Sequence, residues 1–268
     1  MSVGPAAFQC VKYELSDHVV TITLNRPDRR NALNDQAYGE LEGAFQKAAA
    51  DPAARCVIVT GADPAFCSGE DVRDAMARPR PHAPSPSGAA AYQATPAAMA
   101  ALGCDKPVIA AVNGAAVGWG MELALYADIR IASESASFSE LFVKRGLVSD
   151  VGGFHRLPSI VGPAKAAELL FTGDVIDAAE ALRIGLVSEV VRHADLLSRA
   201  RALAGRITAN PPLAVRSMKQ GLRHAAHGDP SEIGAWAIEA IRTLAQTADH
   251  REGVASFLEK REPFFEGR

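Results

Sequence analysis

The stretch Lys106–Asp128, KPVIAAVNGAAVGWGMELALYAD, constrains what this chain can fold into more than any other. Val108-Ile109-Ala110-Ala111-Val112 is a short apolar run led in by Pro107, the pattern of a buried strand. Asn113-Gly114 turns the chain, and Gly118-Trp119-Gly120 lets the backbone approach a neighbour closely. From Trp119 onward, Met121, Leu123, Ala124 and Leu125 predict a buried helix that carries one charge, Glu122, in its first turn. A strand, a glycine-rich turn and a helix N-terminus together present N–H groups to an anion or a developing oxyanion. Glu122 has two readings here: it complements the helix dipole, or it acts on whatever those N–H groups hold.

Such a unit needs a body around it. The chain has 268 residues, 48% hydrophobic and 22% charged, enough for one large core or one core with an appendage. A formal net charge of −3 and a pI near 6.2 argue against general nucleic-acid binding. Cys10, Cys56, Cys67 and Cys104 form no CxxC pair, and no signal-peptide pattern opens the sequence, so a reduced, cytoplasmic setting is expected. No apolar run approaches the roughly 20 residues that span a bilayer, so no membrane partner is expected.

In chain order, Val19–Leu24 is β-branched and strand-like and runs into Asn25-Arg26-Pro27, a stop. Asn34-Asp35 predicts the cap of a helix with Leu41, Ala44, Phe45 and Ala48 on one face. Cys56–Thr60 is the next buried strand. Pro64–Asp71 then reads as a strand end, a small-residue turn and an acidic helix start, a second loop with backbone donors to offer. Arg78–Gly88 is proline-dense, and its composition predicts a surface insertion or flap near the site rather than regular structure. Ile129–Ala132 gives a short strand, Phe138–Arg145 is read as helical, and Leu186–Val191 as a strand. Pro163–Phe171 and Asp177–Ile184 are read as short helices. From Asp195 the chain becomes helical, with apolar stripes through Leu196–Ile207, Val215–Leu222 and Ile233–Leu244 too narrow to own a core.

Other motifs point elsewhere and fail. The spacing Gly114, Gly118, Gly120 suits a dehydrogenase cofactor loop, but it lies mid-chain, and none of Tyr13, Tyr38, Tyr92 or Tyr126 has a lysine four residues on. There is no GxSxG elbow. His224 and His227 share a helical face without a third ligand and read as surface residues, so no metal is expected.

Four ordered motifs resemble those of the crotonase (enoyl-CoA hydratase/isomerase) family: Leu24-Asn25-Arg26-Pro27 with Asn31-Ala32-Leu33, Phe66–Asp71, Lys106–Gly114 and the tail Arg251–Arg261. The resemblance implies an α/β fold, a crotonase-like spiral of β-β-α turns over residues 1–194 with a helical C-terminal oligomerisation region over 195–268. It implies a homo-oligomer, a trimer or a pair of trimers. It also implies an acyl-CoA thioester substrate, as in fatty acid metabolism, with coenzyme A as part of the substrate and no redox cofactor or metal.

By the same resemblance, the backbone N–H groups of Glu70 and Trp119 form an oxyanion hole for a thioester enolate. The family commonly has glycine where Trp119 stands, so this indole, with Phe142, is expected to narrow the acyl pocket. Phe257 and Lys260 match tail positions that approach CoA. Typical hydratases use two glutamates. One corresponds to Glu122; the other sits four residues before the glycine matching Gly146, a position filled here by Phe142. Glu140 lies two residues earlier, which on a helix turns it about 200° away. Instead Asp150, in Gly146–Gly153, resembles the aspartate with which dienoyl-CoA and epoxyphenylacetyl-CoA isomerases move protons; its other reading is a cap on the following helix. The expected activity is double-bond isomerisation with Asp150 as proton carrier and Glu122 assisting. The alternatives are an enoyl-CoA hydratase, a thioester hydrolase and a catalytically silent CoA-binding protein.

Overall fold

The computed structural model describes residues 8–76, 95–226 and 228–268. The proline-dense stretch Arg78–Gly88 with its expected flap role, and His227, lie outside the described residues. The chain begins with β1 (Val11–Ser16) and β2 (Val19–Leu24), an antiparallel hairpin in register from Val11↔Leu24 to Ser16↔Val19. Asp17 and His18 make its two-residue turn with φ of 49° and 64°, the left-handed geometry that a tight hairpin requires. Helix α1 (Asp35–Ala50) follows, with Asn34 accepting the Ala37 N–H as its cap, as the sequence predicts.

The spiral then repeats one unit. Strand β3 (Cys56–Gly61) passes to short β4 (Ala65–Cys67), and then to α2 (Pro96–Gly103). Strand β5 (Val108–Val112) passes to short β6 (Ala115–Val117) and then to α3 (Trp119–Tyr126). Strand β7 (Ile129–Ser133) passes to short β8 (Ser137–Ser139), a 3-10 turn Leu141–Arg145 and the helices α4 (Leu157–Val161) and α5 (Pro163–Thr172). The two-residue β9 (Ile176–Asp177), α6 (Ala178–Arg183) and β10 (Glu189–Val191) close the spiral. Long strands form a six-stranded sheet in the order β1-β2-β3-β5-β7-β10, parallel except for the opening hairpin. Short strands form a second sheet, β4-β6-β8-β9.

Both faces of the central strands β2, β3 and β5 are buried, which is why they read as continuous apolar runs. Val57, Val59, Val108, Ala110 and Val112 face the main core; Cys56, Ile58, Ile109, Ala111 and Ile131 face the other way. That second face is covered by Leu196, Ala200 and Ala204 of α7 (Leu196–Thr208). Helix α8 (Pro212–Ala225) is tied on by Lys219, whose buried ammonium donates to Asp128 Oδ2 at 2.6 Å and to the Lys106 carbonyl at 2.8 Å. Helices α9 (Pro230–Leu244) and α10 (Ala248–Glu259) complete the chain. Among the described residues no helix is long and apolar enough to cross a membrane.

Three segments differ from their sequence reading. Phe138 is the central residue of a strand rather than the start of a helix, because Ser137–Ser139 pairs with β6 and β9. Only Glu189–Val191 of the expected Leu186–Val191 strand is extended; Leu186 and Val187 are buried in a turn whose N–H groups donate to the Ala181 carbonyl. Of the short strands only β4 is foreshadowed, by the strand end read in Pro64–Asp71; β6, β8 and β9 have two or three residues each, too few for a period of two to show.

Candidate active site

The first wall of the site is a loop clamped by the Asn25–Leu33 motif. Asn31 is buried, with φ of 56°, and its side-chain amide donates to the Ala62 and Ala65 carbonyls at 2.7 and 2.6 Å while its Oδ1 accepts the Arg26 N–H. Arg26 Nη1 reaches across to Asp71 Oδ2 at 3.0 Å and also donates to the Ala32 carbonyl. Leu33 N–H donates to the Gly69 carbonyl, and Asp71 N–H to that of Leu33, at 2.8 Å each. The backbone on both sides of Glu70 is therefore fixed by bonds to the opening motif.

The second wall is the N-terminus of α3, and glycines bring the two walls together. A Cβ on Gly120 would lie 2.0 Å from the Cys67 carbonyl oxygen. A Cβ on Gly69 (φ 89°) would lie 2.7 Å from the Val117 oxygen and 3.4 Å from the Trp119 nitrogen. No side chain fits between these strands of backbone, so Glu70 and Trp119 come side by side only because the neighbours are glycine. Trp119 is the first helical residue, whose N–H has no acceptor earlier in the helix. Its indole packs edge-on against Tyr38 (5.0 Å, 87°) and Tyr126 (5.8 Å, 72°). It thus lines, without filling, a cleft of about 710 Å³.

The third wall is the loop after Gly146. Asp150 and Ser149 line the cleft together with Glu70, Trp119 and Phe142. Glu122 does not line it: it is fully buried behind Ser149. Four groups donate to its carboxylate. Ser149 Oγ lies 2.5 Å and Asp150 N 3.1 Å from Oε1; Gly153 N bridges both oxygens at 3.1 and 3.2 Å; Tyr126 Oη lies 3.2 Å from Oε2. The glycine pair is required here too. A Cβ on Gly152 would lie 2.1 Å from Glu122 Oε2, and one on Gly153 1.9 Å from Ser149 Oγ. Asp150 Oδ1 accepts the N–H of Val151 at 2.8 Å.

Glu140 corrects an expectation. It precedes a 3-10 turn rather than sitting within an α-helix, so the 200° argument does not apply. Its side chain is buried, 1% exposed, and Oε2 lies 3.1 Å from Ser149 Oγ, on the far side of Ser149 from the cleft. Burial pushes Glu122 above the ordinary carboxylate range, against the pull of the Ser149 and Gly153 hydrogen bonds. Burial, then the neighbouring Glu122 charge, pushes Glu140 up to about 8. Sequence reading gives no role to Ser149 or Tyr126 and sets Glu140 aside. Tyr126 was findable as the residue one helical turn beyond Glu122. Phe257 and Lys260, at the exposed end of α10, do not line the cleft. Among the described residues no cluster of His, Cys, Asp and Glu could hold a metal ion.

This geometry has relatives. The family model for enoyl-CoA hydratase/isomerase matches residues 14–268. The chain is 39% identical over 264 residues to a probable enoyl-CoA hydratase of Rhodobacter capsulatus, covering 98% of this chain and 100% of that one. It is 36% identical to the 1,2-epoxyphenylacetyl-CoA isomerase of Escherichia coli, covering 93% and 95%. Among solved structures, an enoyl-CoA hydratase from Bacillus anthracis superposes with a TM-score of 0.89 at 32% identity, covering 97% of this chain and 100% of that one.

The raised Glu140 carries a stability prediction. Between its ordinary value of 4.5 and about 8 the folded chain holds a proton at Glu140 that the unfolded chain has lost. Stability from this group is therefore complete below the unfolded value and falls as pH rises, by up to ~1.4 kcal/mol per pH unit. Glu140→Gln keeps the shape and removes the titration. The melting temperature of the variant relative to the native chain should rise steadily from about pH 5 to about pH 8; parallel curves would contradict the assignment.

Proposed function

The chain belongs to the enoyl-CoA hydratase/isomerase family, whose members are enzymes, and on that premise we propose that it moves a double bond along an enoyl- or dienoyl-CoA, with Asp150 carrying the proton. One observation carries this reading. Of the three acids gathered around the loop, Asp150 alone lines the cleft, while Glu122 and Glu140 are sealed behind Ser149. Phe142 supports it, because the position where the resemblance implies a hydratase's second glutamate is here a hydrocarbon wall.

In this reading the thioester carbonyl accepts the backbone N–H groups of Glu70 and Trp119. Asp150 takes a proton from the γ carbon, electrons move into the carbonyl as a dienolate, and the same carboxyl returns a proton at the α carbon. Each oxyanion donor contributes typically ~3 kcal/mol to the enolate-like transition state. Glu122 assists from behind by accepting the Asp150 and Ser149 bonds that fix the loop. The chemistry needs only proton transfers, with coenzyme A as the handle of the substrate; no redox cofactor or metal has a role. Phe257 and Lys260 are assigned to the CoA arm. A cytoplasmic setting accords with the lack of any membrane-length helix among the described residues. Hydration is the second reading, favoured by the name of the Rhodobacter capsulatus relative.

The tail, residues 195–268, is the proposed oligomerisation region. Met218 and Leu222 on α8, Ile238 and Ile241 on α9, and Phe257 and Leu258 on α10 are all more than half exposed in the single chain. Apolar faces of this kind are normally covered by another protomer. A trimer or a pair of trimers should sediment at micromolar concentration, and a folded monomer there would count against the assembly.

Substrate identity and the role of Asp150 are tested together. A panel of acyl-CoAs analysed by chromatography and mass spectrometry should give isomers of unchanged mass, whereas hydration adds water and hydrolysis frees CoA. Asp150→Asn should lower isomerisation by roughly 10²–10⁴-fold with acyl-CoA binding little changed. Near-normal turnover by that variant, with Glu122→Gln inactive, would move the chemistry to Glu122.

A further inference from the structure

Behind the cleft wall runs a chain of hydrogen bonds that the isomerisation step does not itself require. Ser149 Oγ lies 2.5 Å from Glu122 Oε1 and 3.1 Å from Glu140 Oε2. Both carboxyls are buried, and Ser149 is the residue of the three that lines the cleft. A hydroxyl has one proton, so it can donate to only one of the two acids; the other must donate to it or be left facing a lone pair.

The distribution of donors decides which acid holds the proton. Glu122 receives four donor groups, from Ser149, Asp150, Gly153 and Tyr126. Among the described residues Glu140 has the Ser149 contact alone, and its buried Oε1 has no partner there. A charge on Glu140 would sit beside that of Glu122 with almost nothing to solvate it, which is the costly arrangement. The other titratable groups acting on this pair, Tyr126 on α3 and Asp150 on the loop, bring no positive charge. Lys144, four residues on, turns to the surface and pairs with Asp174 at 3.2 Å.

We propose that Glu140, Ser149 and Glu122 form a buried proton relay, in which Glu140 is a positioning residue that stores a proton and exchanges it with Glu122 through the Ser149 hydroxyl. In the resting arrangement the Glu140 O–H donates to Ser149 Oγ, and the Ser149 O–H donates to Glu122. On transfer, Ser149 gives its proton to Glu122 Oε1 as it receives the Glu140 proton. Glu122 ends neutral, Glu140 ends as the anion, and Ser149 ends unchanged. The carboxylate that braces Asp150 can thus be neutralised or recharged without opening to water while Asp150 gains and loses its proton in the cleft. The part that the relay plays in turnover rests on the isomerase reading; the relay itself is a property of the ligand-free protein.

Two measurements separate these claims. Infrared titration of the ligand-free protein should show the carbonyl band of one protonated carboxylic acid near neutral pH, where ordinary carboxyls are ionised. That band should disappear as pH rises through about 8. It should be missing from Glu140→Gln. In Ser149→Ala the band should move to higher frequency, because the Glu140 O–H has lost the oxygen to which it donates. Lack of the band in the native chain, its persistence in Glu140→Gln, or an unmoved band in Ser149→Ala would each overturn the relay; the first needs no variant to fold. With an acyl-CoA that is turned over, native kcat should fall on the alkaline side and Glu140→Gln should lose that limb with KM unchanged. Retention of the native limb by Glu140→Gln would remove the relay from the reaction. If the native chain isomerises no acyl-CoA, the isomerase reading fails while the infrared result still decides the relay.

Discussion

The burial of the Glu122 carboxylate is the constraint on which this site depends. Taking a carboxylate wholly out of water costs several kcal/mol unless its oxygens are met by donors. Here the donors come from three directions: the serine and backbone of the loop after Gly146, the glycine pair that ends it, and a tyrosine one helical turn along. Gly152 and Gly153 are glycine because any side chain there would collide with the carboxylate or with Ser149. The loop is thus folded around the acid, and Asp150 faces the cleft because its own N–H is held inward by Glu122.

A similar economy governs the donor side of the site. The loop after β4 and the N-terminus of α3 are pressed into contact through Gly69 and Gly120, and the opening motif fixes that loop from outside through Asn31 and Arg26. Burial pushes Asp71 upward, but the guanidinium of Arg26 and nearby backbone N–H groups outweigh it and hold its carboxyl below the usual range, so the clamp stays charged at neutral pH. Backbone donors set in this way need no rearrangement when charge develops, which is what makes them effective. Trp119 keeps its N–H at the helix end while its indole packs edge-on against two tyrosines, so a bulky side chain is accommodated there.

Much of this was legible in the sequence, and what was not has physical causes. The buried strands Cys56–Gly61 and Val108–Val112 and the helix carrying Glu122 announce themselves through long apolar runs and glycine punctuation. Strand β1 was missed because it is an edge strand, with Glu14, Leu15 and Ser16 exposed. Strands β6, β8 and β9 escape the sequence because they are two or three residues long and their pairing is set by the spiral, not by local pattern. At the site, Glu122 and Asp150 were recognisable from their glycine-rich surroundings. Their unequal exposure was not: it depends on Ser149 standing between Glu122 and the cleft, a contact spanning 27 residues. Glu140 stays out of the cleft, as expected, but because it precedes a 3-10 turn and is buried beside Ser149, not because of a helical offset.

The central claim is that a cleft-facing aspartate moves a proton between two carbons of the acyl chain and that water does not add. Following deuterium from D₂O into an unsaturated acyl-CoA by NMR tests this most directly. The account predicts label entering at the α and γ carbons, no new oxygen on the chain, and loss of both exchanges in Asp150→Asn. Label confined to the α carbon, together with a hydroxyl at the β carbon, would contradict it and identify a hydratase.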